Sequence, residues 1–533
     1  MEEIYDFIVI GGGSAGCVLA NRLSENADHT VLLLEAGGRD LNPWIHIPVG
    51  YFKTMHNPST DWCFETESDT GLGGRSIKWP RGKVLGGSSS INGLLYIRGQ
   101  REDYDRWRQL GNVGWSYEDV LPYFKKSENQ ERGADEYHGV GGPLNVSNMR
   151  IERPICEDFI RSAVAAGIPR TDDFNGAEQE GVGYFQLTTR NGRRCSAAVA
   201  YLGPAKKRKN LHIRTKAHVR QVLIENQRAV GVEFDIPSRP RQSARCRREI
   251  VLSAGAIGSP HILNLSGIGN GEHLAAAGIP TIHHLAGVGE NLQDHLQIRT
   301  LHATRRPRTL NTEVNNPIKK ALMGIEYALF RTGPLTMGAS QVCIFTKTNP
   351  NADLCDIQFH FQPMSADSPG DGLHKHSAFT LSVTQLRPES TGAIRTISPD
   401  AKVYPKIYPN YLATDLDRQV AVDSLKVMRR ICGISPMKEE IARELEPGED
   451  IDTDDALLEF AQRNAVSIYH PTSTCKMGSD ASSVVDERLR VHGIDGLRVA
   501  DASIMPSIVS GNTNAPVIMI GEKAADMIKA DCK

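Results

Sequence analysis

The chain has 533 residues, 40% hydrophobic and 23% charged, with a formal net charge of −2. That length exceeds one core and points to two or more domains, and the near-neutral balance excludes a nucleic-acid-binding surface. Its ten cysteines form no C-x-x-C pair and no Cys/His cluster at zinc spacing, so reduced thiols and no metal are expected.

The first element starts near Asp6, leaving no room for a secretory signal, and no apolar run approaches the roughly 20 residues of a membrane span, so a cytoplasmic location is expected. Phe7-Ile8-Val9-Ile10 is a short apolar, β-branched run that reads as a buried parallel strand. Gly11, Gly13 and Gly16 follow in G-x-G-x-x-G spacing, and residues 17–23 carry helical periodicity. A second apolar strand over residues 31–34 ends at Glu35. Strand, glycine turn, helix, strand and acid in this order point to an adenine dinucleotide. Its pyrophosphate would lie on the helix N-terminus and its ribose diol against Glu35.

Residues 36–75 are polar and turn-rich. Gly82, Gly86 and Gly87 with Ser88, Ser89 and Ser90 then form a small-residue loop, followed by an expected helical stretch over 91–96. A surface helix is predicted for 115–126 with Ser116 as N-cap, and another for 151–165. Residues 211–235 and 249–254 read as strands, with the arginine-rich 237–248 between them as a hairpin loop. The strand at 250–252 runs into a second small-residue junction at Ala254 and Gly255, with a helix over 261–265. From about residue 298 to 461, alternating segments such as 356–361 and 378–386 predict an antiparallel sheet, with helices at 316–330 and 415–431. The last 70 or so residues are Gly-, Asn- and Pro-rich loops ending in a helix over 517–530.

Long signatures accumulate along this order. One is Gly82-Lys83-x-Leu85-Gly86-Gly87-Ser88-Ser89-x-Ile91-Asn92, followed by Tyr96, Gly99 and Asp105. A second is Gly255-Ala256-x-x-Ser259-Pro260-x-Ile262-Leu263-x-x-Ser266-Gly267-Ile268-Gly269. With the stretch 287–295 (GVGENLQDH), Tyr469-His470-Pro471 and residues 499–506 and 511–520, they span nearly the whole chain. The sequence resembles the glucose–methanol–choline (GMC) family of FAD oxidoreductases, most of all its choline dehydrogenase and aliphatic alcohol dehydrogenase branch.

The resemblance implies an α/β, Rossmann-like FAD-binding domain of residues 1–145, 205–300 and 462–533. It also implies an α+β substrate domain of residues 146–204 and 301–461 with an antiparallel sheet. It places the cofactor set at Gly11, Gly13, Ser14, Ala15, Gly16, Glu35, Ala36, Arg81, Gly86, Gly87, Ser88, Asn92, Gly93, Val219, Ala254, Gly255, Tyr469, Asp501, Ala502, Asn514 and Pro516. Some members attach FAD through a His just before the Asn of the first signature. Ile91 stands there, so FAD is expected to be non-covalent. Oxidising an alcohol requires a base near neutral pH, a role that suits histidine. The resemblance puts His470 at the base position and Asn514 as the amide that orients the hydroxyl, with the hydride passing to flavin N5.

Choline-oxidising relatives tend to carry a Glu within the segment corresponding to 338–345. The present chain reads GASQVCIF there, with Gln341 at the aligned position. A quaternary ammonium prefers an aromatic cage and a carboxylate, so the expectation shifts to an uncharged primary alcohol, with electrons passed to a quinone-type acceptor. Alternatives are an alcohol oxidase using dioxygen, a choline dehydrogenase, a flavin-containing hydroxynitrile lyase and a non-enzymatic flavin carrier. Three basic clusters, at 206–209, 239–248 and 305–308, raise the prospect of peripheral contact with anionic lipid of the inner membrane, with no amphipathic anchor expected beside them.

Overall fold

The computed structural model describes residues 3–368 and 372–532. Phe7, Ile8, Val9 and Ile10 are fully buried in the strand Glu3–Ile10, at the centre of a seven-stranded sheet. Val31–Glu35 and then Leu211–Thr215 lie parallel on one side of it. On the other side runs Gln242–Leu252, followed by the antiparallel strands Arg228–Asp235 and His218–Glu225. Leu497–Val499, from the far end of the chain, pairs parallel with the C-terminal half of Gln242–Leu252. The helices Ser14–Leu23 and Asn514–Asp531 pack together, so the first and last segments of the chain build one layer.

The second sheet also has seven strands, all antiparallel. Its order is Ile441–Glu446, Leu296–Thr304, Ala378–Gln385, Ile357–Gln362, Val342–Thr346 and Gly181–Tyr184, with Val466–Ser467 added to Leu296–Thr304. The period of two sorts its faces. Ile298, Phe359, Phe361, Leu381 and Val383 join the core formed with the helices Pro154–Ala165 and Asp415–Cys432. Gln297, Arg299, His360 and Gln362 point the other way, into a cavity shared with the first sheet. The domain boundary expected at residue 300 falls inside Leu296–Thr304, which lies wholly in the second sheet.

Three local expectations are corrected. The arginine-rich stretch is mainly the strand Gln242–Leu252, because its N-terminal half pairs with both Glu3–Ile10 and Arg228–Asp235. Residues 91–96 are not helical. After the 3₁₀ turn Gly87–Ser90 the backbone is irregular, left-handed at Leu94 (φ +72°), with Thr188 N donating to Leu94 O (2.8 Å) and Tyr96 N to Gln186 O (3.0 Å). The helix expected at 261–265 begins earlier, at Gly255–Leu265, where Asp501 accepts from its first amide. The capped helix Tyr117–Ser127 forms with Ser116 and Asp119 as a reciprocal capping box.

Candidate active site

The cavity, about 340 Å³, runs between the two sheets. At its first end the chain turns sharply at Gly11 (φ +98°), where an added Cβ would stand 2.5 Å from the carbonyl oxygen of Ser253. Gly87 abuts this turn so closely that its Cβ would meet Gly13 Cα at 2.7 Å. Both loops present backbone where a side chain would clash. Three helices, Ser14–Leu23, Gly255–Leu265 and Asn514–Asp531, start at the cavity wall. Their positive dipole ends suit a pyrophosphate. Ser14 Oγ donates to Asn514 Oδ1 (2.9 Å), tying two of these N-termini together. Asp501 accepts from Gly255 N (2.9 Å) and Ser259 Oγ (2.6 Å) at the third.

Glu35 closes this end. Its carboxylate accepts from Gly12 N (2.8 Å) and Gly37 N (2.7 Å), and burial pushes its pKa up to about 7. Trp62, Phe64, His218, Val219 and Tyr404 line the wall beyond it, a flat apolar slot suited to a purine. At the other end, Arg194 is fully buried and donates to Asn92 Oδ1 (2.6 Å), Asn92 O (2.7 Å) and Ser89 O (3.2 Å), pinning the Ser88–Asn92 loop. A cradle of glycine backbone, a buried acid at the end of the second strand and an apolar slot fit an adenine dinucleotide.

Tyr469 takes a left-handed backbone (φ +70°), a conformation costing a non-glycine residue on the order of 1 kcal/mol. Two bonds hold the turn: Arg81 donates to Tyr469 O (2.5 Å), and Asp294 accepts from His470 N (2.7 Å). Asp294 also accepts from Ser467 Oγ (2.5 Å) and from the Tyr411 hydroxyl, and burial lifts its pKa to about 6.

The protonation pattern of His470 follows from its neighbours. His295 Nε2 lies 3.0 Å from the Leu386 carbonyl, which only accepts, so that nitrogen carries a proton. Burial holds the His295 pKa down at about 4, so the ring is neutral and its Nδ1 is an acceptor. His470 Nδ1, 3.0 Å away, must donate to it. His470 Nε2 is therefore unprotonated, and Asn512 Nδ2 donates to it across 3.1 Å. Burial, reinforced by His295, His360 and Arg81, keeps the His470 pKa well below the usual imidazole value.

Of the expected site residues, Gly11, Gly13, Ser14, Ala15, Glu35, Ala36, Arg81, Gly87, Ser88, Asn92, Gly93, Val219, Ala254, Gly255, Tyr469, His470, Asp501, Ala502 and Asn514 line this cavity. Gly16, Gly86 and Pro516 do not. Gly16 serves packing, since its Cβ would lie 1.8 Å from Gly11 O, and Gly86 N donates to Gly12 O (2.7 Å). Pro516 is buried inside the first turn of the last helix. The Asn514 side chain faces Ser14; the amide that reaches His470 belongs to Asn512, which the sequence reading passed over. Gln341 is also turned from the cavity, bonding Cys156 Sγ (2.8 Å) and Ile151 O (3.2 Å), while its neighbours Ala339 and Ser340 line it. His295 and Asp294 stood in a quoted motif, but their roles depend on contacts 175 and 176 residues away in the chain.

Residues 5–297 match the family model of the GMC oxidoreductase N-terminal domain, and residues 388–521 that of its C-terminal domain. The mitochondrial choline dehydrogenase of Mus musculus is 42% identical, the match covering 99% of this chain and 90% of that protein. The oxygen-dependent choline dehydrogenase of Vibrio vulnificus is also 42% identical, covering 99% and 95%. The crystal structure of pyridoxine 4-oxidase from Mesorbium loti superposes with a TM-score of 0.89 at 32% identity, covering 98% of both chains. The chain belongs to the GMC oxidoreductases: it is an FAD flavoprotein oxidoreductase similar to the choline dehydrogenases.

Proposed function

We propose that this protein oxidises an uncharged primary alcohol to the aldehyde. The carrying observation is the unprotonated Nε2 of the buried His470, facing the cavity that the dinucleotide cradle opens into. Bound FAD supplies a hydride acceptor at flavin N5. The Asn512 amide, which donates to His470 Nε2 when no alcohol is bound, turns its N–H to the alcohol oxygen, and the freed Nε2 takes the hydroxyl proton; the amide donates but cannot accept a proton at neutral pH. His295 fixes the tautomer. The buried wall keeps water from competing for Nε2. With Ile91 on the wall where a nucleophile would be needed, FAD is held without a covalent bond.

Among the described residues, the acidic groups lining the cavity are Glu35 and Asp501, both at the dinucleotide end and both hydrogen-bonded. The sheet side of the cavity carries Gln297, Arg299, Ser340, His360 and Gln362, with Arg299 donating to the carbonyls of Ala366 and Asp367. Among the described residues, the sheet side of the cavity offers no carboxylate to face a quaternary ammonium. Choline is the second reading, favoured by the 42% identity to choline dehydrogenases. Anaerobic mixing with aliphatic, polyether and aryl alcohols and with choline tests the assignment through bleaching of the flavin. Faster bleaching by an uncharged alcohol is expected; bleaching by choline alone overturns it. Reoxidation by a soluble quinone faster than by air is expected, and the reverse makes the protein an oxidase.

A further inference from the structure

Several residues of the basic clusters singled out in the sequence are bonded within the fold. Arg245 pairs with Glu225 (2.6 Å), Arg247 with Asp6 (3.6 Å), Arg308 with Asp158 (2.7 Å) and Arg306 with Glu440, while Arg208 donates to Ser24 Oγ (2.9 Å). A different surface has the character those clusters lack. Asn316 caps the helix Pro317–Phe330, accepting from Ile318 N and Lys319 N, with Pro317 in the first turn. Of its residues only Met323 and Tyr327 are buried.

At 3.6 residues per turn, Ile318, Leu322, Ile325 and Leu329 fall on one stripe opposite that contact. They are 72%, 58%, 55% and 67% exposed, and Phe330 at the helix end is 69% exposed. Ala321, Gly324 and Ala328 widen the exposed arc without adding a charge. Lys319, Lys320 and Glu326 lie on the flanks of the protein-facing side. A surface helix ordinarily turns its apolar stripe to the core and its charges to water; here the order is reversed.

The surroundings are cationic. Lys319 lies about a quarter-turn from the stripe and Lys320 behind it, Arg331 ends the helix, and Arg150 reaches the Arg331 carbonyl (3.5 Å). Arg193 lies close enough to act on the Tyr327 phenol. Of the nearby acids, Glu313 is paired with Arg153 (2.7 Å), and Glu326 accepts from Thr332. An apolar stripe bordered by cations matches the headgroup boundary of an anionic bilayer, with acyl chains meeting the stripe and lipid phosphates the lysines and arginines.

We propose that the outward face of Pro317–Phe330 is a peripheral docking surface for an anionic lipid bilayer. No described helix is long and apolar enough to cross a membrane, so attachment is to one leaflet. The inner face of the helix connects this surface to the site. Met323 packs with Leu310, Met337 and Met364, with Phe52 and Leu373 against them, and Phe52, Met364 and Leu373 line the cavity. Docking thus holds the substrate side of the cavity against the source of lipid-soluble alcohols and quinones.

The test is co-sedimentation of the flavin-loaded protein with phosphatidylcholine vesicles, with and without phosphatidylglycerol, at low and high salt. Wild type is expected to sediment with the mixed vesicles, and Leu322→Ser/Ile325→Ser/Leu329→Ser to lose at least about tenfold in partition with flavin content and melting temperature unchanged. Lys319→Glu/Lys320→Glu, a milder surface change, is expected to weaken binding at low salt and to abolish the preference for phosphatidylglycerol. Wild type that ignores mixed vesicles at low salt overturns the proposal, as do variants that bind like wild type. Light scattering that finds a wild-type dimer, converted to monomer by the triple serine change, also overturns it by assigning the stripe to a second copy of the chain.

Discussion

Two asparagines in one G-N-T-N run have separate duties. Asn512 donates to His470 Nε2, and Asn514, the first residue of the last helix, faces Ser14 on the glycine turn. The sequence could not separate them: both are amides shortly before Pro516, and two positions at a helix entrance are enough to turn side chains in different directions. His470 was legible only through the resemblance, because nothing local distinguishes it among 17 histidines. Its tautomer was not legible at all, being set by His295 and, through that ring, by the carbonyl of Leu386. A hydrogen bond to a reacting oxygen contributes about 1–3 kcal/mol, or roughly 5- to 150-fold in rate. Asn512→Ala is therefore expected to slow flavin reduction by that factor while retaining flavin through gel filtration. Asn514→Ala is expected to leak flavin with a smaller change in the rate of the flavin that stays. Equal behaviour of the two variants would remove the distinction.

At the scale of elements, the first strand, glycine turn and helix were readable because the glycine spacing reports backbone approach directly. Gly16 is the tightest point, where a Cβ would stand 1.8 Å from Gly11 O, a backbone atom with no freedom to retreat. Gly16→Ala is expected to push the helix Ser14–Leu23 off its sheet, costing about 1–3 kcal/mol and lowering flavin occupancy together with the melting temperature. An alanine variant that melts like wild type with full flavin would contradict the close packing. Helices with local caps, such as Tyr117–Ser127 behind Ser116, were equally legible. The strand Gln242–Leu252 was not: three arginines disguise an element whose order comes from partners more than 200 residues upstream in Glu3–Ile10. Residues 91–96 misled for a similar reason, since their backbone partners lie at 186–188 and no local signal announces them.

Over the whole molecule, the site sits where the polar face of one sheet meets the glycine turns of the other, so its histidines are deeply enclosed. Burial lowers the pKa of His261 and His295 to about 4, of His302 and His360 to about 3, and those of His218 and His470 below the ordinary value. Each binds a proton less readily in the folded chain than in the unfolded one, which takes it below about pH 6.5. The unfolded state thus binds more protons, and stability falls as pH drops from about 6.5 toward 4, each ring contributing at most about 1.4 kcal/mol per pH unit. Buried carboxyls act in the opposite sense. Glu35, raised to about 7, and Asp294, raised to about 6, hold a proton when folded that they lose when unfolded, as do Asp103 and Asp501 with their raised values. Six rings outweigh four carboxyls. The melting temperature is expected to be lower at pH 5 than at pH 7 in matched ionic strength; an equal or higher value at pH 5 would show that these histidines are not held neutral.

The central claim is that His470 Nε2 removes the alcohol proton as flavin takes the hydride, and anaerobic stopped-flow reduction of flavin-loaded His470→Ala by the best wild-type alcohol tests it most directly. The expected result is a yellow, flavin-replete variant whose reduction is slower by roughly 10²- to 10⁴-fold, the usual contribution of a positioned base. Reduction at the wild-type rate would contradict the account and remove His470 from the chemistry.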